Sequence, residues 1–160
     1  MGNLFAARCG LELYDGDTDY TPEEKQLIST GEWNDKHRQV FLERIAGKIG
    51  NLESHTQTGI LVPIAMTRQW MRDLFDRQFK GQASWVLVKP QISHSQLKDK
   101  VTARSKEGHM ISPDTFERLT AQFEAPTMPH FTLENPHTRE GNSLLEKQID
   151  IIWSQINTSS

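Results

Sequence analysis

Apolar positions along the chain fall into two kinds of run. Ile60-Leu61-Val62-Pro63-Ile64-Ala65-Met66 and Trp85-Val86-Leu87-Val88 are continuous and rich in β-branched residues, the pattern of strands covered on both faces. Pro63 weakens the first, because a strand inside a sheet needs the N–H that proline lacks. Glu12-Leu13-Tyr14-Asp15 is a shorter apolar stretch ending in acid, and His130-Phe131-Thr132-Leu133 is a weaker fourth strand. Between these runs apolar residues recur at helical spacing. Phe41, Ile45, Ile49 and Leu52 form one stripe behind a candidate cap at Asn34; Trp70, Met71, Leu74, Phe75 and Phe79 form a second. Leu97 and Val101 make a shorter one. Ser112-Pro113-Asp114 reads as cap, first-turn proline and acidic first turn ahead of Phe116, Leu119, Thr120 and Phe123. Leu145, Ile149, Ile152 and Ile156 line the last helix, before a polar tail over 157–160, and Met1 to Gly10 reads as a helix body closed by a glycine cap.

Strand followed by helix, repeated, predicts crossover units: a three-layer α/β domain with a mainly parallel sheet between helices. In such folds ligands sit outside the carboxyl ends of the strands. That rule selects Asp15-Gly16-Asp17-Thr18-Asp19 after the first strand, Thr67 and Arg68 after the second with Arg72 one turn along the next helix, and Lys89 after the third. Carboxylates facing cations at one sheet edge suit a metal together with an anion.

Composition narrows the reading. The 160 residues, with 36% hydrophobic content, predict a single domain over 1–160. Lys and Arg number 18 against 21 Asp and Glu, a net charge of −3, which argues against a nucleic-acid or polybasic membrane binder. One cysteine, Cys9, excludes an intramolecular disulfide and a multi-cysteine zinc site, and reads as a small buried filler. The six histidines are scattered without a helical pair at metal spacing. No apolar run approaches a bilayer span and the N-terminus has no basic-then-apolar signal, so the expected setting is cytoplasmic. Trp70 and Phe75 are expected in the core.

Several fragments, in order, resemble the gluconokinase branch of the small P-loop kinases, which are similar to shikimate and adenylate kinases. Gly2-Asn3-Leu4-Phe5-Ala6 is similar to the helix that follows that family's phosphate loop, and Asp15-Gly16-Asp17 to its Asp-x-Asp. Gly31-Glu32-Trp33-Asn34-Asp35-Lys36-His37-Arg38 resembles Gly-x-x-Leu-Asn-Asp-x-x-Arg, and Met71-Arg72-Asp73-Leu74 resembles Tyr-Arg-Asp-Leu. Ala103-Arg104, Gly108-His109 and Gln122-Phe123-Glu124-Ala125-Pro126 are similar to the family's lid. The likeness covers roughly residues 2 to 126, more loosely to the end. Three features depart from it: the sequence opens where the Gly-Lys-Ser-Thr loop should end, so that loop and the usually central first strand are not in it; Tyr20-Thr21-Pro22 stands where a histidine usually follows Asp-x-Asp; and Ser105-Lys106-Glu107 enlarges the lid.

The resemblance implies a P-loop kinase fold with a helical lid over about 104–123, and ATP- and Mg²⁺-dependent phosphorylation of a sugar acid, gluconate to 6-phosphogluconate. Asp15 would orient or deprotonate the acceptor hydroxyl and Asp17 would lie at Mg²⁺. Arg38, Arg68 and Arg72 would grip the substrate carboxylate or the moving phosphate, as planar guanidinium groups do. Arg104 and His109 would reach the nucleotide from the lid. Plainer readings stay open: an ordinary Asp-Gly turn, surface pairing of Arg72 with Asp76, a charged loop at 104–107. Without the loop's amides and lysine, the expectation is a kinase-like chain inactive alone. The alternative is a non-catalytic pseudokinase or regulatory module that binds a sugar acid or a complete kinase subunit; a homodimer is a further implication.

Overall fold

The computed structural model describes residues 1–53, 58–108, 111–138 and 141–158. The first helix, α1 (Gly2–Cys9), ends at Gly10, whose φ of 66° is the left-handed conformation that stops a helix. It leads into β1 (Glu12–Leu13) and a 3-10 turn over Gly16–Asp19. Two helices follow, α2 (Pro22–Thr30) and the long α3 (Asp35–Glu53), then β2 (Ile60–Leu61) and α4 (Gln69–Gln78). The remainder is β3 (Val86–Pro90), α5 (His94–Lys106), α6 (Pro113–Ala121), β4 (Phe131–Asn135) and α7 (Asn142–Thr158).

Caps explain most boundaries. Asn34 Oδ1 accepts the N–H groups of Lys36 and His37, as expected of the start of α3. Ser112 caps α6 through the N–H of Thr115. Two reciprocal capping boxes, Thr21 with Glu24 and Ser93 with Gln96, open α2 and α5. The second expected strand stops after Leu61: Pro63 brings no donor, so the apolar run to Met66 continues without a ladder. The last helix runs through Asn157 to Thr158.

All ladders among the described residues are parallel, as the alternation of strand and helix predicts, but they form two separate pairs, β1 with β2 and β3 with β4. Both pairs share the same two covers. On one face a core of Ile28, Trp33, Phe41, Leu42, Ile45, Ala46, Ile49, Met71 and Phe75 takes in Ile60, Val62 and Trp85. On the other, Phe5, Leu133, Leu145, Ile149 and Ile152 take in Leu61, Val86 and Phe131. The two half-sheets therefore occupy one layer between α2, α3 and α4 on one side and α1 and α7 on the other. Phe75 is buried and Trp70 packs against the first core, as expected of both.

The ladder hydrogen bonds show which strand edges have no ladder partner among the described residues. Glu12 N–H donates to Gly59 O and Tyr14 N–H to Leu61 O, so the amides and carbonyls of Ile60 and Val62 point away from β1. Phe131 N–H donates to Trp85 O, which turns Val86 and Val88 away from β4. Pro90 occupies the same outward set, where its missing donor costs nothing. The outer edge of β4 is closed differently, by the Gln148 side chain of α7, which accepts from Glu134 N–H and donates to Glu134 O. With one ladder neighbour apiece, these strands are half-buried or exposed; of the strand residues described, only Leu133 is fully covered. A fork from Arg8 to both carboxylate oxygens of Asp150, at 2.6 and 2.7 Å, ties α1 to α7.

Candidate functional site

The turn after β1 is built from its own acids. Asp15 caps the 3-10 turn, its carboxylate accepting Asp17 N–H at 3.1 Å and its carbonyl accepting the Thr18 hydroxyl at 2.7 Å. Asp19 is bound inward: the Tyr14 hydroxyl and Lys48 both donate to its carboxylate. Those two bonds, Lys48 first, hold the Asp19 carboxyl below its ordinary value. Asp19 is thus a strut between the turn and α3, and Asp15 and Asp17 are the carboxylates at the strand end.

Glycine separates them for a steric reason. Gly16 is buried, and a Cβ there would lie 2.9 Å from Ile45 Cδ1, in the centre of the first core. Gly16→Ala is expected to cost about 1–3 kcal/mol in a denaturant titration, through overpacking. In an Ile45→Val background, which lacks the clashing methyl, that cost should shrink by about 0.5 kcal/mol or more. Additive costs would show that the turn does not press on α3.

Tyr20 connects this turn to the arginines. Its ring stacks on Phe41 at 3.9 Å and meets Trp33 edge-on at 5.7 Å. Burial, and then the Asp17 charge, push its hydroxyl up to about 12; burial, and then Asp19, do the same to Tyr14. Both are neutral at pH 7, and since the unfolded phenols ionise near pH 10, the stability they contribute is complete below that pH. It falls as pH rises from about 10 towards 12. Tyrosinate absorbance should therefore rise together with unfolding across that window; ionisation near pH 10 with the fold intact would show that the hydroxyls are not held.

Two arginines, Arg38 and Arg68, share Asp35, with Arg38 beside Tyr20. Asp35, at the start of α3, accepts Arg68 Nη1 through one oxygen at 2.6 Å and Arg38 Nη1 through the other at 3.3 Å. Arg68 Nε also lies 3.7 Å from Glu124. The Arg38 side chain is only 13% exposed; desolvation is the main cause that lowers its pKa, and the like charge of Arg118 adds to it. Arg118, on α6, donates to the Gly31 carbonyl at 2.9 Å. Arg118 and Asp35 are not among the residues that the sequence singles out as binding groups. Asp35 sits in the stretch that resembles the family motif, but Arg118 has no such signal, since only tertiary packing brings it to the Gly31 carbonyl.

The remaining candidates take other positions. Arg72 is 4% exposed and its guanidinium donates to Met66 O (2.6 Å), Glu124 O (2.8 Å) and Gln69 Oε1 (3.0 and 3.2 Å), pinning the chain that follows β2 to the segment after α6. Arg104 is exposed on the last turn of α5, and no hydrogen bond or ion pair among the described residues joins it to the arginine cluster. His109 lies outside the described residues. Lys89 is exposed on β3, in register with Glu134. Thr67 O accepts Glu124 N–H, while its hydroxyl is buried without a partner among the described residues. Cys9 is half-buried, with burial raising its pKa.

Asp15 and Asp17 offer hard oxygen donors, and no group of three or more His, Cys, Asp or Glu able to hold a metal occurs among the described residues. That donor set fits Mg²⁺, which keeps waters and phosphate oxygens as ligands and needs only one or two carboxylates. A separate cleft of about 430 Å³ opens at the N-terminal end of α1, lined by Met1, Leu4, Asn135, His137, Thr138, Asn142 and Leu145. Its floor is the carboxyl end of β4 and the first turn of α7.

Helices on both sides of parallel strands, with acids and arginines at the carboxyl ends of β1 and β2, make an α/β domain with its candidate site at the strand ends. Solved structures share the fold. A gluconokinase from Sinorhizobium meliloti 1021 superposes with a TM-score of 0.74 at 17% identity, over 97% of this chain and 83% of that one. A sugar kinase from Janibacter sp. HTCC2649 gives 0.71 at 19% identity, over 97% and 86%. No protein-family model and no curated protein matches the chain. At these identities the likeness establishes a shared fold. Among the described residues no helix is long and apolar enough to cross a membrane.

Proposed function

We infer that the chain carries the acceptor side of a gluconokinase-like site, binding a small sugar acid for phosphorylation by a nucleotide. The observation that carries this reading is the convergence of Arg38 and Arg68 on Asp35, next to Tyr20 and the Asp15–Asp17 turn. Guanidinium groups suit a carboxylate, and a carboxylate at a strand end suits a hydroxyl that must be oriented and relieved of its proton. In this reading Asp15 faces the acceptor hydroxyl and Asp17 would hold Mg²⁺, which when bound neutralises phosphate oxygens. Arg38 and Arg68 orient the acid, and Arg104 and His109 act from the lid. The cleft at the start of α1, with its helix N-terminus, supports nucleotide binding on the other side.

A second reading is a sugar-acid-binding module without turnover. It uses the same acceptor groups, Arg38 and Arg68 on Asp35, without the transfer step. Titration calorimetry with gluconate, with and without ATP·Mg²⁺, tests both. Gluconate binding with turnover supports the kinase, and gluconate binding without nucleotide binding supports the module. Failure to bind gluconate in either condition sinks the proposal.

A further inference from the structure

We propose that Glu124, in the chain between α6 and β4, is a positioning residue that sets the orientation of Arg68 and, through it, of the acceptor side that Arg68 shares with Asp35. One carboxylate holds this stretch from two directions. Arg68 stands at the cap position of α4, where its own side chain makes no capping bond. Glu124 supplies that bond instead, its Oε2 accepting Gln69 N–H at 2.6 Å, while its Oε1 lies 3.7 Å from Arg68 Nε. Arg68 Nη1 in turn donates to Asp35 at 2.6 Å. The guanidinium is thereby held on two different sides. A bond through Nη1 alone leaves the plane able to turn about it, and a negative charge facing Nε opposes that rotation.

An exposed glutamate ordinarily orients an arginine poorly, because ordering two long side chains offsets the attraction. Glu124 differs in what fixes it. Its N–H donates to Thr67 O at 2.8 Å and its carbonyl accepts Arg72 Nη2 at 2.8 Å, so its main chain is tied on both sides. The bond to Gln69 N–H fixes the side chain as well, and none of these contacts involves the Arg68 guanidinium. Thr127 N–H, donating to Gln69 Oε1 at 3.1 Å, carries the same seam further along the chain. Glu124 is therefore a post rooted at the start of α4, against which Arg68 leans. The two carboxylates flanking Arg68 come from α3 and from the segment after α6, so the pose of one guanidinium depends on both. The orienting role follows from these contacts; its bearing on a sugar acid rests on the function proposed above.

Glu124→Gln is the deciding variant, since its amide oxygen can still accept Gln69 N–H while the charge facing Arg68 is gone. The Arg68 Nε–H resonance, identified by its loss in Arg68→Lys, reads the orientation in the whole chain without ligand. It should be sharp in the native protein. In Glu124→Gln it should shift and exchange faster with solvent, with the denaturant midpoint close to native. Glu124→Ala, which also removes the cap, should move the resonance and lower the midpoint as well. Glu43→Gln, which removes an exposed carboxylate on α3, should leave both readings as they are. In gluconate titrations Glu124→Gln should weaken binding about threefold to tenfold. A native chain that binds no gluconate removes the functional reading, and the resonance then decides the orienting role alone. The proposal is overturned by an Arg68 signal already averaged out in the native chain, by one unchanged in Glu124→Gln, or by native gluconate affinity in that variant.

Discussion

Arg72→Ala is expected to lower stability by about 3 kcal/mol, which a small domain of ordinary stability barely survives. The side chain is buried, and its removal strands the carbonyls of Met66 and Glu124, at about 1–3 kcal/mol for each unpaired acceptor. Lysine should rescue little: an ammonium group can meet one of these carbonyls but cannot reproduce the fork that spans Met66, Glu124 and Gln69. Methionine, which restores the stem without the donors, separates packing from hydrogen bonding. Denaturant midpoints decide. Were Arg72→Ala to melt like the native chain and lose only sugar-acid affinity, Arg72 would be a ligand of the substrate and not the structural tie its contacts describe.

Ile149→Ala should cost about 3–4 kcal/mol, near the middle of the range for large-to-small core changes. Ile149 has no exposed surface and sits in the smaller core, among Phe5, Leu133, Leu145 and Ile152. That core is one of the two bodies that touch both half-sheets, through Leu61 of β2 and through Val86 and Phe131 of β3 and β4. A cavity there loosens the clamp that makes the halves one unit. The variant should therefore show a broadened or two-step unfolding transition as well as a lower midpoint. A sharp single transition displaced by less than about 1 kcal/mol would show that the halves are held by the first core alone.

Much of this arrangement is legible in the sequence, for particular reasons. The stripe from Phe41 to Ile49 lies on the core face of α3, since a long amphipathic helix has one way to hide its apolar side. The parallel strands follow from their alternation with helices. The helix α2 escapes a search for apolar periodicity because it buries little beyond Ile28, although its Thr21-Pro22-Glu23-Glu24 opening is a capping box in plain view. The length of β2 is overstated by an apolar run that looks past Pro63. At the site, strand-end logic selects Asp15, Asp17 and Arg68, but it cannot tell a guanidinium that faces a ligand from one spent on carbonyls. Arg38 and Arg72 are both arginines at helix starts, and only their tertiary partners separate them. Arg118 reaches the Gly31 carbonyl across 87 positions of chain, a relation no local pattern carries.

The open flanks of β2 and β3 should leave a signature in how fast amide protons trade with solvent deuterium. Along β3, Leu87 and Lys89 face the ladder with β4, whereas Val86 and Val88 turn their amides away from it. Along β2, Leu61 is laddered and its neighbours Ile60 and Val62 are not. Protection should then flicker with a period of two residues through the middle of the molecule, slow and fast by turns, where an uninterrupted sheet would be slow throughout.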